Sequence, residues 1–295
     1  MFAIGIDVGG TNLKAGLVRE DGTILASTQE PLNFTDGEAF AATLARMARE
    51  VMGDHPVSSV GIGIPGAVEG GTVLFTANIP MKDLPLENLF RRHLDLPVYL
   101  ANDADCAAAA EYLYGSGRGT RDFITVTLGT GIGGGLILGG KLHRGKCCAG
   151  EVGCMVIDRE NEKGSWEYFA SATGLIRMAE AARTPASALW NQPLNGRTIF
   201  GAAEQGDEIA LSVVAEYDRY LGLGLTNLVD ILQPERIAIG GGVSAAPEKL
   251  LLDPVRQYVH DHCYGQYVGH YPEIVRATLG NDAGIVGAAQ IQTLL

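Results

Sequence analysis

Near the start of the chain, apolar positions run into a glycine turn and then resume. Ile4-Gly5-Ile6-Asp7-Val8 leads into Gly9-Gly10-Thr11-Asn12, and Leu13-Lys14-Ala15-Gly16-Leu17-Val18 runs back, which predicts strand, tight turn, strand. The pattern returns at Ile124-Thr125-Val126-Thr127-Leu128, Gly129-Thr130-Gly131 and Ile132-Gly133-Gly134-Gly135-Leu136-Ile137-Leu138. Each copy is followed by a short polar turn, Glu20-Asp21-Gly22-Thr23 and Gly139-Gly140-Lys141. Two matched hairpins, each opening one half of the chain, predict a duplicated domain with a nucleotide between the copies.

Elsewhere the apolar spacing predicts mostly strand followed by helix. A third strand is expected at 24–27. A helix over 36–52 carries Phe40, Leu44, Met47 and Val51 on one face, with Asp36 as its N-cap. A buried strand at 60–64 ends in Pro65-Gly66, and Asn78 falls in a loop before a helix at 86–93. The strand 98–101 delivers Asn102-Asp103 to the head of an alanine-rich helix at 104–114. After an irregular stretch at 142–164, helices are predicted at 167–182, 199–205 and 208–232. A strand at 237–239 meets Gly240-Gly241-Gly242, and helices at 247–260 and 283–294 flank a strand at 274–276. Strands followed by helices indicate an α/β protein.

At 295 residues, 46% hydrophobic and 19% charged, the chain is long enough for two domains with separate cores. It has no apolar run of membrane-spanning length and no signal-peptide pattern at Met1-Phe2-Ala3, so a cytoplasmic protein is expected. A net charge of −12 disfavours a nucleic-acid surface. Five cysteines without framework spacing indicate reduced thiols.

Candidate chemistry concentrates at the glycine turns. A carboxylate at the end of the first strand, Asp7, would repel a bare phosphate and welcome one masked by Mg²⁺. Gly9 and Gly10 allow close backbone approach there, and Thr11 and Asn12 add polar side chains. Asp103 lies where a strand ends and a helix begins, the usual place for ligand chemistry in open α/β sheets. It could take the proton of an attacking hydroxyl, or it could simply cap the helix. Glu151 and Glu167 could grip a polyol or be solvated charges. The cluster at 240–242 could admit a flat ring or form a tight turn. Cys147, Cys148 and Cys154 lack the spacing of a zinc site and read as small buried thiols. His143, His260 and His262 read as ordinary loop and helix residues.

Together these segments resemble the ROK family of bacterial sugar kinases, along nearly the whole chain. The resemblance implies a two-lobed actin-like/ribonuclease H-like ATPase fold of the hexokinase–Hsp70–actin superfamily. Asp7-Val8-Gly9-Gly10-Thr11-Asn12 is similar to the family's first phosphate motif and Leu128-Gly129-Thr130-Gly131-Ile132-Gly133-Gly134 to the second. Gly66, Asn78, Asn102 and Asp103 fall in the sugar-contact loops, with Glu151, Cys154 and Glu167 completing the sugar site. Gly241 and Gly242 fall in the adenosine motif, and Gly280-Asn281-Asp282-Ala283-Gly284 resembles the C-terminal signature. The resemblance therefore implies ATP-dependent phosphorylation of a hexose, usually at C6, with Mg²⁺ accompanying ATP near Asp7 and Asp103 as general base. Glucose is the default substrate, with N-acetylmannosamine, another N-acetylhexosamine, allose or fructose as alternatives. It also implies a homodimer.

Two departures stand out. The family's Glu-x-Gly-His, whose His touches the sugar and binds a structural zinc, is here Glu151-Val152-Gly153-Cys154. The zinc-binding Cys-x-Cys-Gly loop is missing from 158–165, and Trp166 precedes the sugar-site Glu167. A zinc-free member is expected, with Trp166 as a substitute packing anchor. ROK-like repressors carry a winged-helix segment ahead of the first hairpin; here that hairpin begins at Ile4, so a repressor is not expected. A sugar-binding sensor without catalysis would have no use for Asp103 and both phosphate hairpins. The lobes are expected to span 1–117 with helix 283–295, and 118–282, with the active site in their cleft.

Overall fold

The computed structural model describes residues 1–160 and 163–295. In the first half, β1 (Phe2–Val8), β2 (Asn12–Arg19) and β3 (Ile24–Pro31) form an antiparallel meander. Helix α1 (Gly37–Met52) begins at Asp36, whose carboxylate accepts the Ala39 N–H (2.9 Å). Then come β4 (Val57–Ile64), β5 (Gly66–Glu69), β6 (Thr72–Thr76), β7 (Lys82–Leu84), α2 (Leu86–His93), β8 (Val98–Asn102) and α3 (Asp103–Tyr114). The second half holds β9 (Phe123–Leu128), β10 (Ile132–Leu138), β11 (Lys141–Leu142), α4 (Trp166–Ala170), α5 (Ala172–Ala182), α6 (Gly196–Glu204) and α7 (Glu208–Leu232). It ends with β12 (Arg236–Gly240), α8 (Leu252–His262), β13 (Glu273–Arg276) and α9 (Ala283–Gln290).

The sequence echo is a structural one. One five-stranded sheet has the order β3-β2-β1-β4-β8 and the other β11-β10-β9-β12-β13. In both, a hairpin and its third strand occupy one side while two parallel strands extend the other. A separate three-stranded sheet, β5-β6-β7, was not anticipated from sequence. Its signal was present in Glu69-Gly70-Gly71-Thr72, where both glycines take positive φ (54° and 76°), as tight two-residue hairpins require.

The chain divides into two compact units, Met1–Arg121 with Gly135–Gly150 and Thr278–Leu295, and Asp122–Gly134 with Glu151–Ala277. In the first, the apolar face of α1 (Phe40, Leu44, Met47, Val51) packs into a core with Ile4, Ile6, Leu13, Leu17 and Ile62. Helix α9 lies so close to the sheet that only glycine fits beneath it. A Cβ at Gly5 would overlap the Ile285 carbonyl, one at Gly61 the Ala288 carbonyl, and one at Gly287 the Cys106 carbonyl of α3. Glu111, on α3, is 1% exposed and accepts from the Ser116 N–H (2.8 Å) and from the Thr278 and Leu279 N–H groups (2.7 Å each). It fixes the segment from which α9 departs.

In the second unit, a helix expected to run unbroken over 167–182 is split at Ser171. The Ser171 Oγ accepts the Gly174 N–H (3.1 Å) and caps α5. The break lets Ala172 N donate to the Gly129 carbonyl (2.8 Å) and Thr173 Oγ1 to the Thr130 carbonyl (2.8 Å), so α5 starts on the second hairpin turn. The helix expected at 247–260 begins later, at Leu252, after a 3₁₀ turn at Glu248–Leu250. Trp166 is fully buried, donates from Nε1 to the Tyr220 carbonyl (3.0 Å) and covers Gly224, where any Cβ would overlap its ring. It is the packing anchor expected of it.

Among the described residues, one buried carboxyl oxygen in this unit has no hydrogen-bond partner. Asp218, on α7, is 4% exposed, and its Oδ1 accepts no hydrogen bond beside a cavity of about 280 Å³ lined by Leu211, Val214, Leu250 and Tyr258. Burial raises its pKa from 3.8 to about 8.

Two measurements test this packing. Gly61→Ala should lower stability by about 1–3 kcal/mol in thermal or urea unfolding, because α9 must lift off the sheet to admit a methyl group. Asp218 keeps its proton when folded and loses it near 3.8 when unfolded, so stability should fall as pH rises from 3.8 toward about 8. The slope is at most about 1.4 kcal/mol per pH unit. Asp218→Asn should flatten that slope in urea unfolding curves collected across the same range.

Candidate active site

In the first unit the site residues gather where β1, β4 and β8 end. Asp7 pairs in register with Lys14 across the hairpin and with Gly63 on β4. Burial raises the Asp7 pKa, and the charge of Lys14 opposes that shift. Gly284, at the start of α9, lies so close to the Asp7 carboxylate that a Cβ there would press on it (2.8 Å from Cγ). That explains a glycine in the C-terminal signature, a role the sequence alone did not reveal. The Gly9 N–H donates to the Asn12 carbonyl (2.9 Å), and Asn12 Nδ2 donates to Thr11 Oγ1 (3.1 Å), leaving Gly10 and Thr11 exposed at the tip. Nothing crowds the Cβ position of Gly10.

At the end of β8 the two candidate caps divide the work. Asn102 is the N-cap of α3: its Oδ1 accepts from Ala104 N (2.8 Å) and Asp105 N (3.4 Å), while Nδ2 donates to the Gly66 carbonyl (3.2 Å). Gly66, at the head of β5, has no room for a side chain against Phe75 and Thr76 of β6. Asp103, half-buried, holds the first helical position and shares the Ala104 N–H (2.9 Å). The helix thus has its cap without relying on Asp103. Asn78 stands exposed in the β6–β7 loop, between the buried Thr76 and Ile79.

In the second unit, Glu151, Cys154, Glu167 and Gly131 come together. Glu167 Oε2 accepts from the Ile132 N–H (3.4 Å) and sits directly under Gly131, where a Cβ would touch it (2.6 Å). Partial burial and the neighbouring charge of Glu167 raise the Glu151 pKa. The Cys154 thiol is raised too, by burial and then by Glu167 and Glu151. Thr130 is exposed at the hairpin tip. The expectation of buried thiols needs correcting: Cys148 and Cys154 are exposed and Cys147 is partly so, while Cys106 and Cys263 are buried. Polar turns on both sides keep this stretch at the surface. Among the described residues, no three His, Cys, Asp or Glu side chains stand close enough to hold a metal. Asn161 and Glu162, within the interval where the zinc loop is missing, lie outside the described residues.

The third glycine cluster separates into two roles. Gly241 has φ of 80°, and a Cβ there would overlap the Leu128 backbone of β9, so it is a structural turn. Gly242 lines a cavity of about 330 Å³ with Val243, Ala246 and Pro247 on one side and Gly196, Arg197, Phe200 and Gly201 of α6 on the other. Cβ positions at Gly196, Gly201 and Gly242 meet nothing within 4 Å, so glycine leaves this space open for a flat ring. The α6 wall was not predicted; the one available signal was a second pair of glycines, five residues apart in Gly196-Arg197-Thr198-Ile199-Phe200-Gly201.

Two sheets of matching order, each opened by a glycine hairpin, with a carboxylate closing the first strand, define an actin-like ATPase fold. The chain belongs to the ROK family, whose profile matches residues 3–293. It is 36% identical to a glucokinase of Streptomyces coelicolor, with 98% of this chain and 97% of that protein aligned. It is 35% identical to a glucokinase of Thermotoga maritima (98% and 96%). A crystal structure of a ROK family glucokinase from Streptomyces griseus, in complex with glucose and AMPPNP, superposes with a TM-score of 0.83 over 99% of each chain at 35% identity. Among the described residues no helix is long and apolar enough to cross a membrane.

The carboxylate pair offers a direct test. Glu167→Gln should bring the Glu151 pKa down toward its ordinary value, because a like charge beside it disappears. Carbon-detected NMR titration of the glutamate carboxyls would measure it; an unchanged Glu151 would mean that burial alone sets its pKa.

Proposed function

We infer that this protein transfers the γ-phosphoryl group of ATP to a hydroxyl of a hexose, at C6 and with glucose as the default substrate. The observation that carries this reading is Asp103, a half-buried carboxylate at the head of α3, where the parallel strand β8 ends. The family and the named glucokinase relatives support the same reaction.

In this reading Asn102, Gly66 and Asn78 orient the sugar, and Glu151 and Glu167 accept hydrogen bonds from its hydroxyls. Cys154 takes the place of an imidazole in that set. Asp103 accepts the proton as the hydroxyl oxygen attacks phosphorus, the bond to ADP breaks, and the sugar phosphate and ADP leave. The hairpins at Gly9-Gly10-Thr11-Asn12 and Thr130-Gly131 supply backbone and side-chain donors for phosphate oxygens. The cavity at Gly242 is large enough for a nucleoside base, and Gly241 shapes its approach. Asp7 fits a role in holding Mg²⁺, because it closes β1 beside the first hairpin turn and burial disfavours its charge even with Lys14 opposite. Mg²⁺ would neutralise charge on the phosphates. A cytoplasmic location and a homodimer are proposed by family resemblance. The same proposal includes a zinc-free site, because Cys154 stands in place of the zinc-binding His and the Cys-x-Cys-Gly loop is missing from 158–165.

The test is ATP-dependent phosphorylation across hexoses and N-acetylhexosamines, with metal content measured on the same sample. Turnover should occur on one sugar, and Asp103→Asn should lower kcat on the order of 10²–10⁴-fold while sugar KM changes little. Sugar binding without turnover on any candidate would replace the kinase with a sensor, and stoichiometric zinc would overturn the zinc-free reading.

A further inference from the structure

Cys147 and Cys148 have no part in the reaction above, yet they are placed for chemistry of their own. They lie in a turn closed by the Ala149 N–H donating to the Arg144 carbonyl (3.1 Å). Their Sγ atoms stand 3.0 Å apart, with Cys148 exposed and Cys147 partly so. A disulfide bond is ~2.05 Å long, so a contraction of about 1 Å would close the pair. The other thiols are worse placed. Cys106 and Cys263 are buried, and the Cys154 thiol is raised by burial and then by the charges of Glu167 and Glu151, which disfavours its thiolate.

We propose that Cys147 and Cys148 form an oxidative modification site, a vicinal dithiol that a hydroperoxide converts into an intrachain disulfide. One thiolate attacks the peroxide, the O–O bond breaks, and an alcohol leaves with a sulfenic acid remaining on sulfur. The second thiolate attacks that sulfur, the S–O bond breaks, the S–S bond forms and water leaves. The two thiols give up two electrons and two protons, and the hydroperoxide becomes alcohol and water. Consecutive Cα atoms are only ~3.8 Å apart, below the usual span for a disulfide of about 4.4–6.8 Å, so the bridge is strained and thiols reduce it readily.

The turn is anchored on one side and leads into the proposed sugar site on the other. Arg144 Nη2 donates to the Val68 carbonyl (2.8 Å), and Arg144 Nε lies 3.9 Å from the buried Asp105. Downstream, the chain passes through Gly150 (φ 104°) directly to Glu151. Closing an eight-membered ring between the anchor and Glu151 twists the backbone that delivers that carboxylate, and sugar KM rises. This consequence rests on the placement of Glu151 at the sugar, which Glu151→Gln tests separately.

The experiment treats the full-length protein with cumene hydroperoxide, alkylates the remaining thiols, digests with trypsin and weighs the 147–159 peptide. That peptide should lose two hydrogens and carry one alkyl group, on Cys154, and dithiothreitol should reverse the loss. Sugar KM should rise several-fold on oxidation and recover on reduction, while Cys147→Ser and Cys148→Ser keep the basal KM and lose the response. Alkylation of both Cys147 and Cys148 after peroxide, or a bridge that includes Cys154, would overturn the proposal. So would a KM response that persists in the double variant. If the bridge forms but Glu151→Gln leaves sugar KM unchanged, the placement of Glu151 fails and the modification site stands.

Discussion

The first unit depends on the contact of α9 with the strands and helix beneath it, backbone against backbone. Dispersion is individually weak and falls off steeply with distance, so removing side chains from a helix–sheet interface gains contact only if the surfaces come together completely. Gly5 and Gly61 on the sheet and Gly287 on the helix permit that approach, and any added methyl group would overlap a carbonyl. A chain whose last helix docks this closely must place that helix within a fraction of an ångström. The placement sets Gly284 against the Asp7 carboxylate, so a packing requirement near the C-terminus is also a constraint on the first turn of the chain.

Glu111 works with that contact from the opposite side. Its carboxylate collects donors from Ser116 and from Thr278 and Leu279, segments far apart in sequence. Charge-assisted hydrogen bonds of this kind are roughly twice as strong as neutral ones, and several on one buried group offset its desolvation. Asp218 shows the alternative outcome: a buried carboxyl without donors keeps its proton. Two acidic residues with similar exposure thus differ in the backbone N–H groups available to them.

Local signals carried much of the fold. The helices at Leu86–His93 and Glu208–Leu232 have the limits their periodicity predicts, and Asp36 caps α1 as its position suggested. Failures occurred where distant parts of the chain intervene. The periodicity around Ser171 is continuous, and only the carbonyls of Gly129 and Thr130 explain why the helix restarts there. The small β5-β6-β7 sheet was hidden because Pro65-Gly66 reads as a stop, whereas Gly66 begins a new strand. At the candidate site the hairpins and Asp103 were legible as motifs. The wall of the Gly242 cavity was not, because it comes from a helix some forty residues upstream (Gly196–Glu204) that carries no ligand motif.

The electrostatics of the site follow from the same geometry. Glycine turns bring backbone close together and expel water, and the carboxylates set beside them then become harder to ionise. Asp7 and Glu151 both shift in that direction, Asp7 by burial although the charge of Lys14 opposes it, and Glu151 by burial and then by the like charge of Glu167. In both cases burial makes the charged form less favourable in the folded protein. Groups held in unfavourable surroundings persist only where the rest of the scaffold is well packed. The glycine trench under α9 and the donors around Glu111 supply that scaffold, which is why a carboxylate as unfavourably buried as Asp7 can persist beside it.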